Sequence, residues 1–277
     1  MTRLPALELL KEQVSNNKTK NCGRADLEQL FLFILDVSRA DFYSKTYFLS
    51  ASDHKKLSEM IDKRNSGEPL AYILGRQGFW EIDLMINEYV LVPRPETETI
   101  LELVLSIYDQ KSIQLLDAGT GSGAIALALA YERESWNIFA LDNSRNAINL
   151  AQNNNHNLGL SVNFFQSNWL EPIHPLCLDV IVSNPPYISS DDSRLKGDGV
   201  LKEPMSALVA NGNGLDDLNK IIKESYACLV KGGRLFVEHA PEQTNLVEEF
   251  YKKYNYTDIK VHRDLNGDNR VSIGIKF

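Results

Sequence analysis

Leu115-Leu116-Asp117-Ala118-Gly119-Thr120-Gly121-Ser122-Gly123 is an apolar run that ends in glycine at every second position and leads into Ala124-Ile125-Ala126. The run reads as a buried strand, and the glycines read as a tight turn opening a helix. Such a turn lets a ligand approach the backbone closely. Asp142 ends the next strand-like run, where an acid can accept both hydrogens of a ribose diol. An adenosine-containing cofactor is therefore expected over Gly119, Thr120, Gly121, Ser122 and Gly123. The spacing is GxGxG followed by Ala124, so the GxGxxG fingerprint of pyrophosphate binding is not met. A generic glycine-rich turn also accounts for the glycines taken alone.

On either side of this turn, strand and helix patterns alternate. Strands are predicted near 113–118, 137–142, 161–166 and 178–183, with helices around 123–133 and 144–157. After a long irregular stretch come a helix near 215–230, a strand near 233–239, a helix near 241–254, and strands near 256–262 and 270–276. The fold class is α/β, a seven-stranded Rossmann-like sheet, mostly parallel and covered on both faces. The last two strands, joined by a loop alone, imply an antiparallel pair at one edge. That is one strand more than the six of a dinucleotide-binding fold.

Upstream the period changes. Leu4, Leu7, Leu10 and Val14 recur at helical spacing, as do Leu27, Leu30, Phe31, Ile34 and Leu35. A helix is expected from Ser52, as its N-cap, to Asn65, stopping at Gly67. Residues 1–75 read as a small helical domain for substrate recognition, 76–95 as a β-hairpin linker and 96–277 as the catalytic domain. In the linker, Phe79 to Ile86 alternates with period two, and Tyr89-Val90-Leu91-Val92 follows Asn87-Glu88 as the expected second strand.

Composition narrows the function classes. The 277 residues are 43% hydrophobic and 24% charged, which excludes disorder. Apolar runs such as Leu30 to Leu35 and Ala124 to Tyr131 fall short of the ~20 residues a spanning helix needs, so no membrane partner is expected. Glu8, Lys11 and Glu12 interrupt the N-terminal sequence before an apolar stretch builds, which argues against a secretory signal. Cys22, Cys177 and Cys228 lie far apart with no CxxC, and the five histidines show no HExxH spacing. The cysteines suit a reducing cytoplasm, and both facts argue against a metal site. Residues 1–75 carry a net charge of +1 and residues 76–277 a net of −9. Duplex nucleic acid normally meets a basic face, so the balance disfavours a stable nucleic-acid partner.

A second motif decides more. Asn184-Pro185-Pro186-Tyr187 follows the apolar strand Val180-Ile181-Val182-Ser183 and so lies at a carboxyl end of the sheet, where open α/β folds bind ligands. The two prolines fix the backbone and remove two N–H donors, leaving carbonyls to accept. The Asn184 side-chain oxygen is a further acceptor. An acceptor pair beside an aromatic ring fits a planar –NH2 group held by both hydrogens. Such a nitrogen is a poor nucleophile because its lone pair is delocalised, and two acceptors can aim that lone pair at an electrophile. A proline-rich turn after a strand, without further role, is the ordinary alternative.

Together these motifs resemble an S-adenosylmethionine-dependent methyltransferase of the amino-group class. More closely, the chain resembles the bacterial peptide chain release factor glutamine methyltransferases. The closer likeness rests on Gly67-Glu68-Pro69-Leu70-Ala71-Tyr72-Ile73, Phe79-Trp80, Leu91-Val92-Pro93-Arg94-Pro95-Glu96-Thr97-Glu98, Ser167-Asn168-Trp169 and Glu203-Pro204. It covers nearly the whole chain. The Asn-Pro-Pro-Tyr tetrapeptide alone is shared with DNA adenine methylases.

The resemblance implies transfer of a methyl group from the sulfonium of S-adenosylmethionine to the glutamine amide nitrogen of a release factor's Gly-Gly-Gln motif. It further implies that Gly119 to Gly123 cradle the methionyl part, that Asp142 binds the ribose and that Trp169 flanks the adenine. Asn184 and the Pro185 carbonyl would hold the glutamine amide, with Asn184 also bordering the cofactor, and Pro186 and Tyr187 would pack near the reacting centre. The family usually has Asp where this chain has Asn168, which leaves open a contact from there to the adenine amino group. A ribosomal-protein glutamine methyltransferase and a nucleic-acid amino-methyltransferase are the alternatives within the enzymes. A nicotinamide oxidoreductase would need GxGxxG, and a non-catalytic module would be expected to lose Asn184 or the glycines.

Other positions read less sharply. Arg94 fits either substrate orientation or a solvated loop charge, and Glu203 fits a brace for the loop after the tetrapeptide. Glu238 and His239 end a strand near the expected site, where packing suits His239 better than a catalytic base.

Overall fold

The computed structural model describes residues 4–16, 21–109, 112–171 and 173–277. They fall into two compact units, one running to Gly75 and taking in Lys196–Lys202, the other comprising Arg76–Leu195 and Glu203–Phe277. Among the described residues no helix is long and apolar enough to cross a membrane.

The first unit is built from the helices Ala6–Asn16, Arg24–Leu35, Arg39–Ser44, Ala51–Asn65 and Leu70–Leu74. Their apolar stripes close on Leu10, Leu27, Leu30, Phe31, Phe42, Leu49, Leu57 and Met60. The fourth helix begins earlier than the sequence reading placed it. Its cap is Ser50, whose hydroxyl accepts the Asp53 N–H while the Asp53 carboxylate accepts the Ser50 N–H. That reciprocal pair satisfies two donors which would otherwise be orphaned, and Ser52 has no equivalent partner at N3. Arg64 near the end of this helix is buried and pairs with both Asp26 and Asp198. Segment Lys196–Lys202 is thereby held to the helices by charge.

In the second unit, β1 (Arg76–Phe79) and β2 (Ile82–Met85) pair antiparallel as a hairpin. Here the expected turn at Asn87-Glu88 is corrected. The turn lies at Trp80-Glu81, with Trp80 in the left-handed region at φ 53°. Tyr89 to Val92 is not a strand, because its backbone donors are used elsewhere. The Asn87 side chain takes the Tyr89 N–H at 3.1 Å, and Glu203 takes the Val92 N–H at 3.1 Å.

The main sheet holds seven strands: β3 (Gln114–Ala118), β4 (Asn137–Asp142), β5 (Asn163–Gln166), β6 (Leu178–Ser183), β7 (Leu229–Glu238), β8 (Tyr256–Arg263) and β9 (Asn269–Lys276). Their order is β5-β4-β3-β6-β7-β9-β8. The first five run parallel, and β9 is antiparallel to both β7 and β8. β7 begins at Leu229, inside the stretch expected as helix. A register shift between Leu178 and Val180 of β6 absorbs the Gly232-Gly233 pair and lets the strand start early.

Parallel strands covered on both faces need continuous apolar runs. Leu115 to Ala118 and Val180 to Ser183 are buried throughout. The helix Ala124–Glu132 is buried from Ala124 to Ala130 on every side, as its all-apolar sequence requires. The chain moves outward from β3 through β4 to β5, then crosses back to β6. The strand order therefore reverses between β3 and β6, and a crevice opens beyond their carboxyl ends.

Candidate active site

Both sequence motifs lie at that reversal. The glycine turn follows β3, and Asn184-Pro185-Pro186-Tyr187 follows β6. The strands are tied directly: Ser183 Oγ donates to the Ala118 carbonyl at 2.6 Å. An open cleft lies here, where open α/β sheets bind ligands. Its walls include Gly119, Thr120, Gly121, Ser122, Asp142, Trp169, Asn184 and Pro186. Gly123, Pro185 and Tyr187 adjoin these lining residues in the chain. Asn168 does not line the cleft; it is exposed and its amide donates to Glu171 at 3.2 Å.

The glycine turn is fixed by backbone and sterics. Gly119 and Thr120 both donate to the Leu141 carbonyl at 2.9 Å, which ties the turn to β4. Gly119 has φ 82°, and a Cβ there would meet the Trp169 ring at 3.3 Å. Gly123 has φ 88° and leaves room only for Leu127 and Ala151. These are positions where a side chain is strained in backbone and crowded in space. Beneath the turn lies Asp117, fully buried, accepting from the Thr120 hydroxyl at 2.6 Å and the Ala126 N–H at 3.2 Å. Burial pushes its carboxyl up to about 7, and those two donors offset only part of the effect.

Asp142 Oδ2 accepts the Gly121 N–H at 2.9 Å and Oδ1 the Ser144 N–H at 2.8 Å. A carboxylate offers about four lone-pair positions, more than its backbone donors occupy, so acceptor capacity remains for a ribose hydroxyl. Burial raises the Asp142 carboxyl above its ordinary range, opposed by the backbone N–H groups of Ser144, Gly121 and Asn143. Trp169 has φ 53°, and its indole N–H donates to Asp217 at 3.1 Å. That bond fixes the ring against Gly119. Nothing in the sequence marked Asp217, because it lies 48 residues further on, in the first turn of the helix Asp216–Cys228.

On the other side of the cleft the Asn184 –NH2 donates to Thr97 Oγ1 at 3.0 Å. This commits Nδ2 to the protein and presents Oδ1 as the acceptor. The Tyr187 hydroxyl donates to Glu238 Oε1 at 3.1 Å, and its own carbonyl accepts from Gln243 at 2.8 Å. Glu238 is buried and its carboxyl is pushed up to about 7, chiefly by burial, with Thr97, Arg270 and Tyr187 pulling it back. The Tyr187 phenol is raised by burial and the nearby Glu238 charge, so it stays a neutral donor. Arg94 lines the cleft and pairs with buried Glu203, which also takes the Val92 N–H. Glu203 thus braces the Pro93-Arg94 wall. His239 is buried with its ring nitrogens against the Ala240 carbonyl and Ser272 Oγ, and burial lowers its pKa. It packs; it is not a base facing the cleft.

Comparison with known proteins follows the same division. The profile of the methyltransferase small domain matches residues 99–258, and the PrmC N-terminal domain matches residues 8–75. A release factor glutamine methyltransferase of Buchnera aphidicola (Acyrthosiphon pisum) is 41% identical over 230 residues, 83% of each chain. Those of Salmonella typhimurium and Escherichia coli are 36% and 35% identical, over 96% of each chain. Among solved structures, a methyltransferase from Pyrococcus furiosus has a TM-score of 0.54 at 18% identity, covering 82% of this chain and 99% of that one. A Thermus thermophilus 16S rRNA methyltransferase bound to AdoMet and guanosine also has a TM-score of 0.54, at 17% identity, covering 73% of this chain and 50% of that one. At such identities these two structures speak for the fold.

Proposed function

We propose, from the premise that this chain belongs to the release factor glutamine methyltransferases, that it uses S-adenosylmethionine to methylate the glutamine side-chain amide of a Gly-Gly-Gln motif in release factors. The observation that carries this reading is the Asn184 amide, which lines the cleft with the glycine turn and has its –NH2 committed to Thr97, leaving its oxygen as the free acceptor.

S-adenosylmethionine, when bound, supplies a methyl group on a positively charged sulfur. The residues present fit it: side-chain-free glycines at 119 and 121, a carboxylate with acceptor capacity at Asp142, and an aromatic ring fixed at Trp169. Asn184 Oδ1 and the Pro185 carbonyl hold the two hydrogens of the target amide. Held so, the nitrogen turns its lone pair toward the methyl carbon and loses conjugation with its carbonyl. A carbon–nitrogen bond forms as the carbon–sulfur bond breaks, and one amide proton leaves to solvent from the then acidic nitrogen. No strong base is required, in keeping with the buried setting of His239. Positioning two reactants within one cleft is the main source of rate. The helical unit, which the PrmC N-terminal domain profile covers, is assigned to substrate recognition.

The test is methyl transfer from labelled S-adenosylmethionine to a purified release factor, to total ribosomal protein and to DNA. Label on the Gly-Gly-Gln glutamine is expected. Label confined to ribosomal protein or to DNA overturns the substrate assignment.

A further inference from the structure

The segment Pro95-Glu96-Thr97-Glu98 has a hydrogen-bond partner for each polar side chain. Glu98 Oε1 accepts the Trp80 N–H at 2.8 Å, Glu96 Oε1 accepts from Asn266 at 3.3 Å, and Thr97 Oγ1 accepts from Asn184 at 3.0 Å. The first two tie loops together. The third reaches the acceptor that the transfer reaction uses. We infer that Thr97 is a positioning residue for methyl transfer, holding the Asn184 amide in the one orientation that presents its oxygen to the substrate.

A primary amide has two nearly isosteric ends, and rotating it by half a turn exchanges an acceptor for a donor. With the –NH2 end toward the substrate, two N–H donors would oppose each other and the target amide would be repelled. The orientation is therefore a functional variable, and the Thr97 hydroxyl decides it. A hydroxyl can donate or accept, so its own proton must be drawn elsewhere for the lone pair to face Asn184. Glu238 is the neighbouring carboxylate able to attract that proton. It is buried, its Oε2 has no hydrogen-bond partner, and Thr97 is the hydrogen-bonding group that most lowers its pKa. Oε1 is already taken by the Tyr187 hydroxyl. Glu238 thus holds the Tyr187 hydroxyl by a hydrogen bond and bears on Thr97 through its charge. Thr97 itself is buried and stands at the junction of the Pro95–Thr97 turn and the helix Glu98–Ile107, where its backbone is constrained. The inference rests on the proposed amide chemistry and adds a residue that acts through Asn184.

The experiment compares Thr97→Val, which keeps shape and removes the acceptor, with Thr97→Ser, which restores it. Single-turnover methylation of a release factor and calorimetric binding of S-adenosylmethionine are measured on each full-length variant. Thr97→Val is expected to lower the transfer rate by roughly 10- to 100-fold, in line with the cost of misplacing a reacting group. Cofactor affinity should stay within about twofold, the release-factor KM should change far less than kcat, and Ser should recover most of the loss. In an Asn184→Ala background the Val substitution should have no further effect. If Val at 97 disturbs the fold, Thr97→Ala is read in the same way, with melting as a control. An active Thr97→Val, or a loss that Ser does not recover, overturns the inference. An inactive wild type would instead overturn the proposed function, so the two failures are distinguishable.

Discussion

The two halves of the cleft rest on the same device built in opposite ways. Each has a buried carboxyl at or near the carboxyl end of a strand, Asp117 in β3 and Glu238 in β7, each pushed up to about 7 by burial and each with one oxygen lacking a hydrogen-bond partner. Asp117 is tied to its own turn: its donors are Thr120 and Ala126, three and nine residues on. Glu238 is tied across the fold, to Tyr187 51 residues away and electrostatically to Thr97. The half proposed to hold the cofactor is thus a local construction of backbone and glycine, and the half proposed to carry the transfer is a tertiary construction of side chains. The first should break when atoms are added, the second when they are removed.

The largest effect is therefore expected at Asn184. Asn184→Ala removes the acceptor at the moment of transfer, and a misplacement of ~1 Å costs roughly 10²-fold in rate. Single-turnover methylation should fall by at least that much while cofactor affinity changes little. Comparable losses in both would mean that the halves are not separable.

Next comes Asp142→Ala. The proposed diol contact would involve charge-assisted hydrogen bonds of about 1.5–3 kcal/mol each. Calorimetry should show at least a tenfold loss of S-adenosylmethionine affinity. The variant also strands the N–H groups of Gly121 and Ser144, so a modest fall in melting temperature is expected beside it. Unchanged affinity would remove Asp142 from the cofactor half.

The local half was legible in the sequence and the tertiary half only in part. Gly119-Thr120-Gly121-Ser122-Gly123 and Asp142 could be placed because a turn and the end of the following strand are short-range features. Asn184 could be placed because a tetrapeptide follows an apolar strand. Thr97, Asp217 and the use of Glu238 could not be, since each acts on a residue 48 or more positions away. The hairpin turn was misplaced for a related reason. Alternation from Phe79 to Ile86 looks like one strand, and only the left-handed backbone at Trp80 folds it in half. Tyr89 to Val92 has strand-like residues, yet Asn87 and Glu203 take its N–H groups.

A smaller effect, of opposite kind to Asn184→Ala, is expected from Gly119→Ala. The left-handed backbone costs an L-residue about 1–2 kcal/mol, and the added Cβ presses on the Trp169 ring. Melting temperature and cofactor affinity should both fall, whereas transfer from bound cofactor should be nearly preserved. A variant with normal affinity and slow transfer would invert the assignment of the halves.

The smallest effect is the most direct test of the shared device. A carboxyl whose folded pKa is raised has the folded state holding more protons than the unfolded one between the two values. Stability from Asp117 is thus complete below about 4, the unfolded value, and is lost as pH rises to about 7. Each such group contributes a slope of up to about 1.4 kcal/mol per pH unit within that window. Glu238 contributes in the same direction over the same range. Asp117→Asn cannot ionise, so denaturant unfolding at pH 5, 6 and 7 should show a shallower decline than wild type, with the Glu238 share retained. The absolute stability of the variant is a separate matter, because the new –NH2 lies where Asp117 Oδ1 has no partner and costs about 1–3 kcal/mol if it stays unpaired. The slope removes that constant from the comparison. Parallel lines for wild type and variant would show that Asp117 keeps its charge in the folded protein, and the cofactor half would then stand on its glycines and backbone alone.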